Sequence, residues 1–242
     1  MSAFVTSPKD VKQLGTILTV WAHPDDETFV SAGLLATAIK NGQRVVCVTA
    51  TKGEAGSQDE SRWPAETLGD VRANELTKVL KMLGVTEHHW LGVLDGMCDC
   101  VPNSAIAVRL QPIIDAVQPD TILTFGPDGW TGHNDHRSVS GWATELAPKK
   151  TKVFYVTHTP EHYETYLKKA DDAFNIFFNI DKPPLLHKDA IDIYFELPPD
   201  LLALKYNALR SMTSQTEKIF TLFDPNILHK VWATECFVLT NR

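Results

Sequence analysis

The hydrophobic pattern of the first fifty residues predicts a strand, a helix and a second strand. Residues 16–21 form an apolar run rich in β-branched side chains, which indicates a buried strand. Residues 28–40 have apolar positions at helical spacing, and the following Asn41-Gly42 is typical of a left-handed helix end. Residues 44–49 then repeat the buried-strand pattern. We therefore expect a β-α-β unit with a right-handed crossover.

The same alternation continues along the chain and predicts an α/β fold. Ser104 is the expected N-cap of one helix, and residues 174–180 are expected to be extended. Further strands are predicted at 88–93, 121–125, 153–156, 191–197 and 236–239, and further helices at 68–83, 104–117, 134–146, 161–169 and 200–212. The expected architecture is a single-domain, Rossmann-like open sheet, mostly parallel and flanked by helices, over residues 1–242.

Composition narrows the classes of partner. The net charge of −7 gives no basic surface for nucleic acid or for an anionic membrane. The amino end lacks the apolar core of a secretory signal, and no run approaches the ~20 apolar residues of a membrane span. The four scattered cysteines favour a reducing compartment over a disulfide framework. We expect a cytoplasmic protein that acts on a small molecule.

The first candidate site is the segment at 22–27, Ala-His-Pro-Asp-Asp-Glu, directly after the first predicted strand. In open α/β sheets, ligands bind at the carboxyl ends of the strands. An imidazole and three carboxylic acids crowded into such a turn call for a cation. His23 and Asp26, three residues apart, can face one point, which predicts a divalent metal and leaves Asp25 free.

A distant second segment supplies the remaining ligand. Catalytic zinc usually takes three protein ligands and one water, so the first segment needs a partner. The segment at 126–136 follows the predicted strand at 121–125, and it contains His133 and His136 with Asp135 between them. Either His133 or His136 could supply an imidazole nitrogen as the third metal ligand. Other histidines lack a ligand-like neighbour and are excluded, namely His158, His162, His187 and His229, while the adjacent His88 and His89 point to opposite faces of a strand.

These two motifs, in this order and both after strands, resemble the PIG-L/LmbE-like family of zinc-dependent N-deacetylases. The resemblance extends to a Gly-Glu loop at Gly53-Glu54, an Arg-x-x-Glu helix at Arg72 and Glu75, and a helix at 205–215 that ends in Ser-Gln. Two positions depart from the family pattern. Asn134 stands where the family often has proline, and Thr131 where some members carry a tyrosine that assists at the oxyanion.

The resemblance implies the role of each site residue. One zinc ion per chain is expected on His23, Asp26 and His136, with a water as fourth ligand whose pKa falls toward ~7. Asp25 is the expected general base, His133 the group that stabilises the oxyanion and protonates the amine, and Asp135 the residue that orients His133. The predicted substrate-binding residues are Arg72, Glu54 and Trp63. For Trp63 two interpretations stay open: its ring stacks on a sugar ring of the substrate, or it packs only against its own loop.

The implied reaction is removal of an N-acetyl group from a small molecule containing N-acetylglucosamine. Two alternatives stay open, a zinc amidase for larger thiol or acyl-amide conjugates and a non-catalytic sugar- or nucleotide-binding protein. The first strand lacks a following Gly-x-Gly-x-x-Gly, which disfavours dinucleotide binding. Some relatives form trimers or hexamers, so a homo-oligomer is also an expectation of the resemblance.

Overall fold

A seven-stranded sheet forms the centre of the molecule. The computed structural model describes residues 4–180 and 182–240, so the expected domain range 1–242 extends beyond the described residues at both ends. The strand order is β3-β2-β1-β4-β5-β7-β6. Among the described strands, β7 is the one that runs in the opposite direction to the others, so its pairings with β5 and β6 are antiparallel. The strands are β1 (Ile17–Trp21), β2 (Val45–Thr49), β3 (Glu87–Trp90), β4 (Thr121–Thr124), β5 (Lys152–Thr157), β6 (Ile193–Glu196) and β7 (Thr234–Leu239). This confirms the predicted fold class.

Helices cover the sheet and follow the strands at most crossovers. They are α1 (Asp26–Lys40), α2 (Ala65–Leu83), α3 (Asn103–Val117), α4 (Asn134–Leu146), α5 (Pro160–His162), α6 (Lys168–Phe174), α7 (Pro199–Arg210), α8 (Thr213–Leu222) and α9 (Pro225–Val231). A π-helical turn, Tyr163–Leu167, joins α5 to α6. Within the described residues, none of the helices is both long and apolar enough to span a membrane.

Burial explains why the central strands were recognisable. Every residue of β1, β2 and β4 is buried, as expected for parallel strands covered on both faces. The edge strand β3 is only partly covered. There His88 bonds Thr49 Oγ1 through Nε2 at 3.0 Å, whereas His89 is exposed. The two adjacent histidines thus lie on opposite faces, as the strand periodicity requires.

Three sequence expectations differ from the structure. Helix α3 begins at Asn103 with Pro102 at its N-cap position, so the Ser104 cap was wrong. Residues 175–179 form a turn rather than an extended segment, because Asn175 adopts a left-handed φ of 51° and ends α6. The helix expected at 205–215 is interrupted, because α7 ends at Arg210 and Ser214 and Gln215 lie in the first turn of a separate helix, α8. The rest of α8 and helix α9 were not predicted.

The strand order sets the position of the site. β1 pairs with β2 on one side and with β4 on the other, so the chain progresses in opposite directions across the sheet from the β1–β4 pair. Such a reversal opens a crevice at the carboxyl ends of the two strands, where ligands of open α/β sheets bind. Both candidate motifs follow these two strands.

Candidate metal centre and active site

Two histidines 113 residues apart meet at the crevice between β1 and β4. His23 Nδ1 lies 3.1 Å from His136 Nε2. His23 belongs to the turn after β1, and His136 lies in the first turn of α4, after β4. The His136 ring stacks on Phe125, with ring centroids 4.0 Å apart and planes inclined by 5°. This stacking fixes the ring plane and leaves its edge toward the crevice.

Asp26, the first residue of α1, completes a three-residue donor set. Its Oδ1 lies 3.5 Å from His136 Nε2, and its Oδ2 lies 3.7 Å from His23 Nδ1. Oδ2 also accepts a hydrogen bond from the backbone N–H of His23 at 2.8 Å, which orients the carboxylate. The structure therefore brings together His23, Asp26 and His136, the three residues that were predicted as ligands, and their role as ligands stays a prediction.

The outer hydrogen bonds of the two imidazoles determine which nitrogens carry lone pairs. His136 Nδ1 faces the Gly129 carbonyl oxygen at 3.0 Å and must donate to it. His23 Nε2 lies 3.0 Å from Asp95 Oδ1 and 3.3 Å from Asp135 Oδ2, so it too is a donor. In the neutral rings, His23 Nδ1 and His136 Nε2 then present two lone pairs to each other across 3.1 Å. This contact is favourable only when a proton or a metal ion is shared by the two nitrogens.

The donor set fits a divalent metal. Metal–ligand bonds of about 2.0–2.2 Å in a tetrahedral site place ligand atoms about 3.3–3.6 Å apart, close to the separations of the three pairs. Without a metal the proton takes this role. Burial alone lowers the pKa of His23, but the carboxylates of Asp135 and Asp95 raise it to about 10, while burial raises the pKa of Asp26 to about 8. The pKa of His136 falls well below its ordinary value through burial and the neighbouring His23.

Asp25 lies beside the donor set and is held by Arg72. Its Oδ2 is 3.1 Å from Arg72 Nη2, and Asp25 has a strained φ of 134°. It occupies the N-cap position of α1, but its side chain accepts no capping hydrogen bond from the described residues. Burial raises the pKa of Asp25, and the Arg72 charge opposes this rise. The carboxylate is thus aimed at the crevice instead of capping the helix.

Arg72 also fixes the loops around Asp25. Its Nη2 donates to the Pro24 carbonyl oxygen at 2.9 Å, and its Nη1 donates to the Gly53 carbonyl oxygen at 2.8 Å. A Cβ atom on Gly53, whose φ is 68°, would overlap the guanidinium. The glycine of the Gly-Glu loop is therefore required by the close approach of Arg72.

Asp135 does not pair with His133 in the way that we expected. The Asp135 carboxylate accepts hydrogen bonds from the backbone N–H groups of Gly96 at 2.8 Å and Cys98 at 3.0 Å, and it faces His23 Nε2. His133 Nδ1 instead accepts the backbone N–H of Asp135 at 3.1 Å and so caps α4. This bond assigns the remaining proton of neutral His133 to Nε2. Asp135 positions His23, whereas α4 positions His133.

Asp95 is a site residue that sequence reasoning missed. It lies in the loop after β3, where its Oδ1 is 3.0 Å from His23 Nε2 and its Oδ2 accepts the Ala55 N–H at 2.9 Å. The His23 contact lowers the pKa of Asp95 to about 2, against the effect of burial. Its position after a parallel strand, at the same sheet edge as the two motifs, was the available signal.

The predicted substrate-binding residues have different surroundings. Arg72 lines the central cavity but is buried and engaged with Asp25. Glu54 Oε1 accepts the Asp95 N–H at 3.1 Å, and the Arg62 guanidinium stacks on Trp63. Both Glu54 and Trp63 are described residues, and neither lines the cavity. For Trp63 this favours packing within its own loop. Substrate contact by these three residues stays a prediction.

The Arg-x-x-Glu and Ser-Gln motifs contact each other. Glu75 accepts hydrogen bonds from the Thr213 hydroxyl, the Ser214 backbone N–H and the Ser214 hydroxyl at the start of α8. Gln215 Nε2 donates to the Gly56 carbonyl oxygen at 3.2 Å. Helix α2 thus holds Asp25 through Arg72 and α8 through Glu75.

The donor set lies in a cavity of about 430 Å³. This volume is within the ~300–1,000 Å³ typical of small-molecule sites. The described residues that line it include His23, Asp25, Asp26, His133 and His136 at the carboxyl ends of β1 and β4.

The chain is similar to known deacetylases in sequence and in structure. The family model described as PIG-L, GlcNAc-PI de-N-acetylase, matches residues 18–147. A 1D-myo-inositol 2-acetamido-2-deoxy-alpha-D-glucopyranoside deacetylase from Mycobacterium sp. (strain JLS) is 29% identical over 244 residues, covering 87% of this chain and 77% of the relative.

Solved structures share the fold. The N,N'-diacetylchitobiose deacetylase from Pyrococcus horikoshii superposes with a TM-score of 0.65 at 23% identity, over 95% of this chain and 85% of that one. The A40926 pseudoaglycone deacetylase gives a TM-score of 0.69 at 18% identity, over 93% and 97% of the two chains.

Proposed function

Because the chain belongs to the PIG-L family, we propose that it is a metal-dependent N-deacetylase whose substrate is a small molecule containing N-acetylglucosamine. It is an amide hydrolase that acts on N-acetyl groups. The observation that carries the proposal is the convergence of His23 Nδ1, His136 Nε2 and the Asp26 carboxylate beside a second carboxylate, that of Asp25, in one cavity.

His23, Asp26 and His136 would hold the metal. When bound there, a divalent ion supplies Lewis acidity, which polarises an amide carbonyl and lowers the pKa of a water molecule. We assign zinc, because two imidazole nitrogens and one carboxylate oxygen are a donor set that zinc takes in catalytic sites. Asp95 and Asp135 hold the Nε2–H of His23 and so keep its Nδ1 lone pair directed inward.

Asp25 acts as the general base. Its carboxylate is next to the donor set but points to Arg72 on its other side, so one oxygen remains to accept a proton from water. Arg72 keeps the carboxylate in this orientation, and its charge limits the rise in the pKa of Asp25 that burial causes. The proton taken from water is then available to the departing amine nitrogen.

His133 stabilises the negative charge that develops on the carbonyl oxygen. Since its Nδ1 accepts the Asp135 N–H, neutral His133 carries its proton on Nε2 and can donate it. Burial and the neighbouring His23 lower the pKa of His133, which keeps the ring neutral near pH 7. Thr131 is close to His136, with Oγ1 3.3 Å from Nδ1, so this hydroxyl supports a metal ligand.

The substrate class rests on the relatives, which are named as deacetylases of an N-acetylglucosamine–inositol compound and of diacetylchitobiose. We assign a cytoplasmic location to the protein, supported by its four cysteines, which all lie in the described residues and are free thiols.

Acetate release tests the proposed function. Purified, zinc-loaded protein is incubated with N-acetylglucosamine, its inositol and malate conjugates and diacetylchitobiose, and acetate is quantified. We expect release from at least one of them and loss of release in Asp25→Asn. A protein that binds these sugars without releasing acetate would be the non-catalytic binding protein of the alternative hypothesis.

A further inference from the structure

The lining of the cavity contains two chemically different sets of residues, each named here as a side. One, the polar side, is lined by Gly56, Gln58, Arg72, Asp95, Gln215 and Lys218. The other, the apolar arm, is lined by Leu167, Phe174, Ile176, Ile219, Leu228 and Val231. The two sides belong to one continuous cavity.

The strand order places the two sides in opposite directions. Gly56, Gln58, Arg72 and Asp95 of the polar side follow β2 and β3, which lie beyond β1 in the sheet. The segment after β5 and helix α9, which precedes β7, contribute to the apolar arm, and both of these strands lie beyond β4. Helix α8 contributes to both sides: Gln215 and Lys218 donate hydrogen bonds to the carbonyl oxygens of Gly56 and Gln58, at 3.2 and 2.6 Å, whereas Ile219 belongs to the second hydrophobic cluster. An amide bound at the β1–β4 crevice therefore has its two substituents directed toward different environments.

The chemistry of an N-acylated amino sugar matches this division. Sugar hydroxyls lose hydrogen bonds to water on binding and need polar partners in return, which Gln58, Asp95, Gln215 and Lys218 can provide. An acyl chain needs no such partners and gains free energy when it leaves water. With the carbonyl at the donor set, the sugar faces the polar side and the acyl group enters the apolar arm.

The apolar arm is larger than an acetyl group requires. An acetyl group ends in a single methyl, whereas apolar side chains from the π-helical turn, α6, α8 and α9 all contribute to the arm. Leu167, Leu228 and Val231 belong to a second hydrophobic cluster, separate from the main core, so the arm has a packed apolar wall. His158 also lines the cavity, and burial lowers its pKa to about 3, so this side receives no imidazolium charge.

We propose that the protein also hydrolyses amino sugars whose N-linked acyl group is an aliphatic chain longer than acetyl, with the chain bound in the apolar arm. This inference rests on the proposed function and names its acyl specificity. The reaction is ordinary amide hydrolysis. The C–N bond breaks, the water oxygen ends on the acyl carbon as a carboxylate, and the nitrogen leaves as the protonated amine of the sugar.

An acyl chain-length series tests the proposal. The zinc-loaded protein is assayed for amine release from N-acetyl-, N-butanoyl-, N-hexanoyl- and N-octanoyl-D-glucosamine. Because each buried methylene contributes about fourfold, we expect kcat/KM to rise at least about tenfold from acetyl to hexanoyl. A fall in kcat/KM with chain length overturns the proposal. A second outcome also contradicts the proposal. If kcat/KM rises for an octyl glycoside of N-acetylglucosamine but not along the N-acyl series, the arm binds an aglycone instead of the acyl chain.

Two variants on helix α8 test whether the acyl chain binds in the apolar arm. Ile219 is half-buried on α8 and lines the apolar arm, whereas Leu222 is on the same helix, is 65% exposed and, among the described residues, does not line the cavity. We expect Ile219→Asp to reduce the hexanoyl-to-acetyl ratio of kcat/KM at least about tenfold. Leu222→Asp should preserve this ratio. Equal ratios in both variants would contradict binding of the chain in the arm.

A binding measurement separates this proposal from the proposed function. By calorimetry on metal-free protein, we expect N-octanoyl-D-glucosamine to bind more tightly than N-acetyl-D-glucosamine, with a negative heat-capacity change. Ile219→Asp should remove the difference. If no sugar is hydrolysed but this difference is present, the proposed function fails and the acyl site stands. If N-acetylglucosamine is hydrolysed and the difference is absent, the acyl site fails alone.

Discussion

Arg72 Nη2 lies 3.1 Å from Asp25 Oδ2, and the two residues come from different crossover connections of the sheet. Both side chains are largely buried, at 5% and 15% side-chain exposure. A buried carboxylate without a partner is costly, and Arg72 compensates for this while it leaves the other Asp25 oxygen free. In the proposed mechanism Arg72 therefore positions Asp25, while the substrate contact that the sequence predicted for Arg72 stays a prediction.

Arg72→Lys should lower kcat more than it raises KM. Lysine has no planar fork and cannot bridge the Asp25 carboxylate and two carbonyl oxygens at once. We expect a loss of about 10–100-fold in kcat with metal content unchanged. Because a nearby cation lowers the pKa of a carboxyl group, Arg72→Gln should move the acid limb of the kcat/KM profile to higher pH. A rise in KM with kcat unchanged would instead show that Arg72 binds the substrate and does not position Asp25.

Asp25→Asn should abolish most of the activity and leave the metal in place. Asparagine is nearly isosteric with aspartate but cannot accept the proton of water, and removal of a general base typically costs about 10²–10⁴-fold. Metal is quantified by mass spectrometry on the same preparation that is used for kinetics. Undiminished hydrolysis would contradict the assignment of Asp25 as base.

His136→Ala and His133→Ala should differ in metal content. His136 Nε2 belongs to the donor set, whereas His133 Nδ1 caps α4, so only the first variant should lose metal together with activity. His133→Ala should keep the metal and lose turnover by about 10²–10³-fold. One ring nitrogen from each of His23, His133 and His136 lies within 4.8 Å of the other two, so His133 is also within reach of a shared metal and the two variants are needed to separate the roles. If His133→Ala loses the metal and His136→Ala keeps it, His133 is the metal ligand and His136 is not.

Stability should fall as the pH drops below about 6.5, in part because of His158. Burial lowers the pKa of His158 to about 3 in the folded protein, while the unfolded chain has an ordinary value near 6.5. The unfolded state therefore takes up the proton first. Stability from this residue is complete above pH 6.5 and declines by about 1.4 kcal/mol per pH unit between 6.5 and 3. Urea unfolding from pH 7 to 4 should show a shallower decline in His158→Phe than in the wild type.

The architecture and the convergence of the two motifs could be predicted from local sequence patterns, whereas the choice of His136 over His133 as a ligand came from the family resemblance. Buried parallel strands have continuous apolar runs, and His23, Asp26 and His136 directly follow two of them. Two distant turns that each end a parallel strand must lie at the same sheet edge, so their convergence was predictable without coordinates.

The missed features depend on tertiary contacts that have no local signature. Asp95 occupies an ordinary turn, and its role appears only because β3 ends at the same edge as β1. The backbone N–H of Asp135 donates to His133, whereas its carboxylate faces His23. The sequence motif does not indicate which of the two histidines the carboxylate contacts. Helices α8 and α9 have only 10 and 7 residues, fewer than the window of about 11–18 residues over which helical periodicity is recognised, and their apolar side chains pack on a second hydrophobic cluster.

Gly53→Ala should destabilise the protein and inactivate it, whereas Gly42→Ala should only destabilise it. Both glycines have positive φ, 68° and 80°, so both variants carry a strain of about 1 kcal/mol. A Cβ on Gly53 also overlaps the Arg72 guanidinium, while a Cβ on Gly42 meets no described atom within 4 Å. Relief of this overlap must displace Arg72 and, with it, the Asp25 carboxylate. Thermal unfolding and acetate-release kinetics on the two variants test the argument, since equal activity losses would show that backbone strain, and not the position of Arg72, governs catalysis.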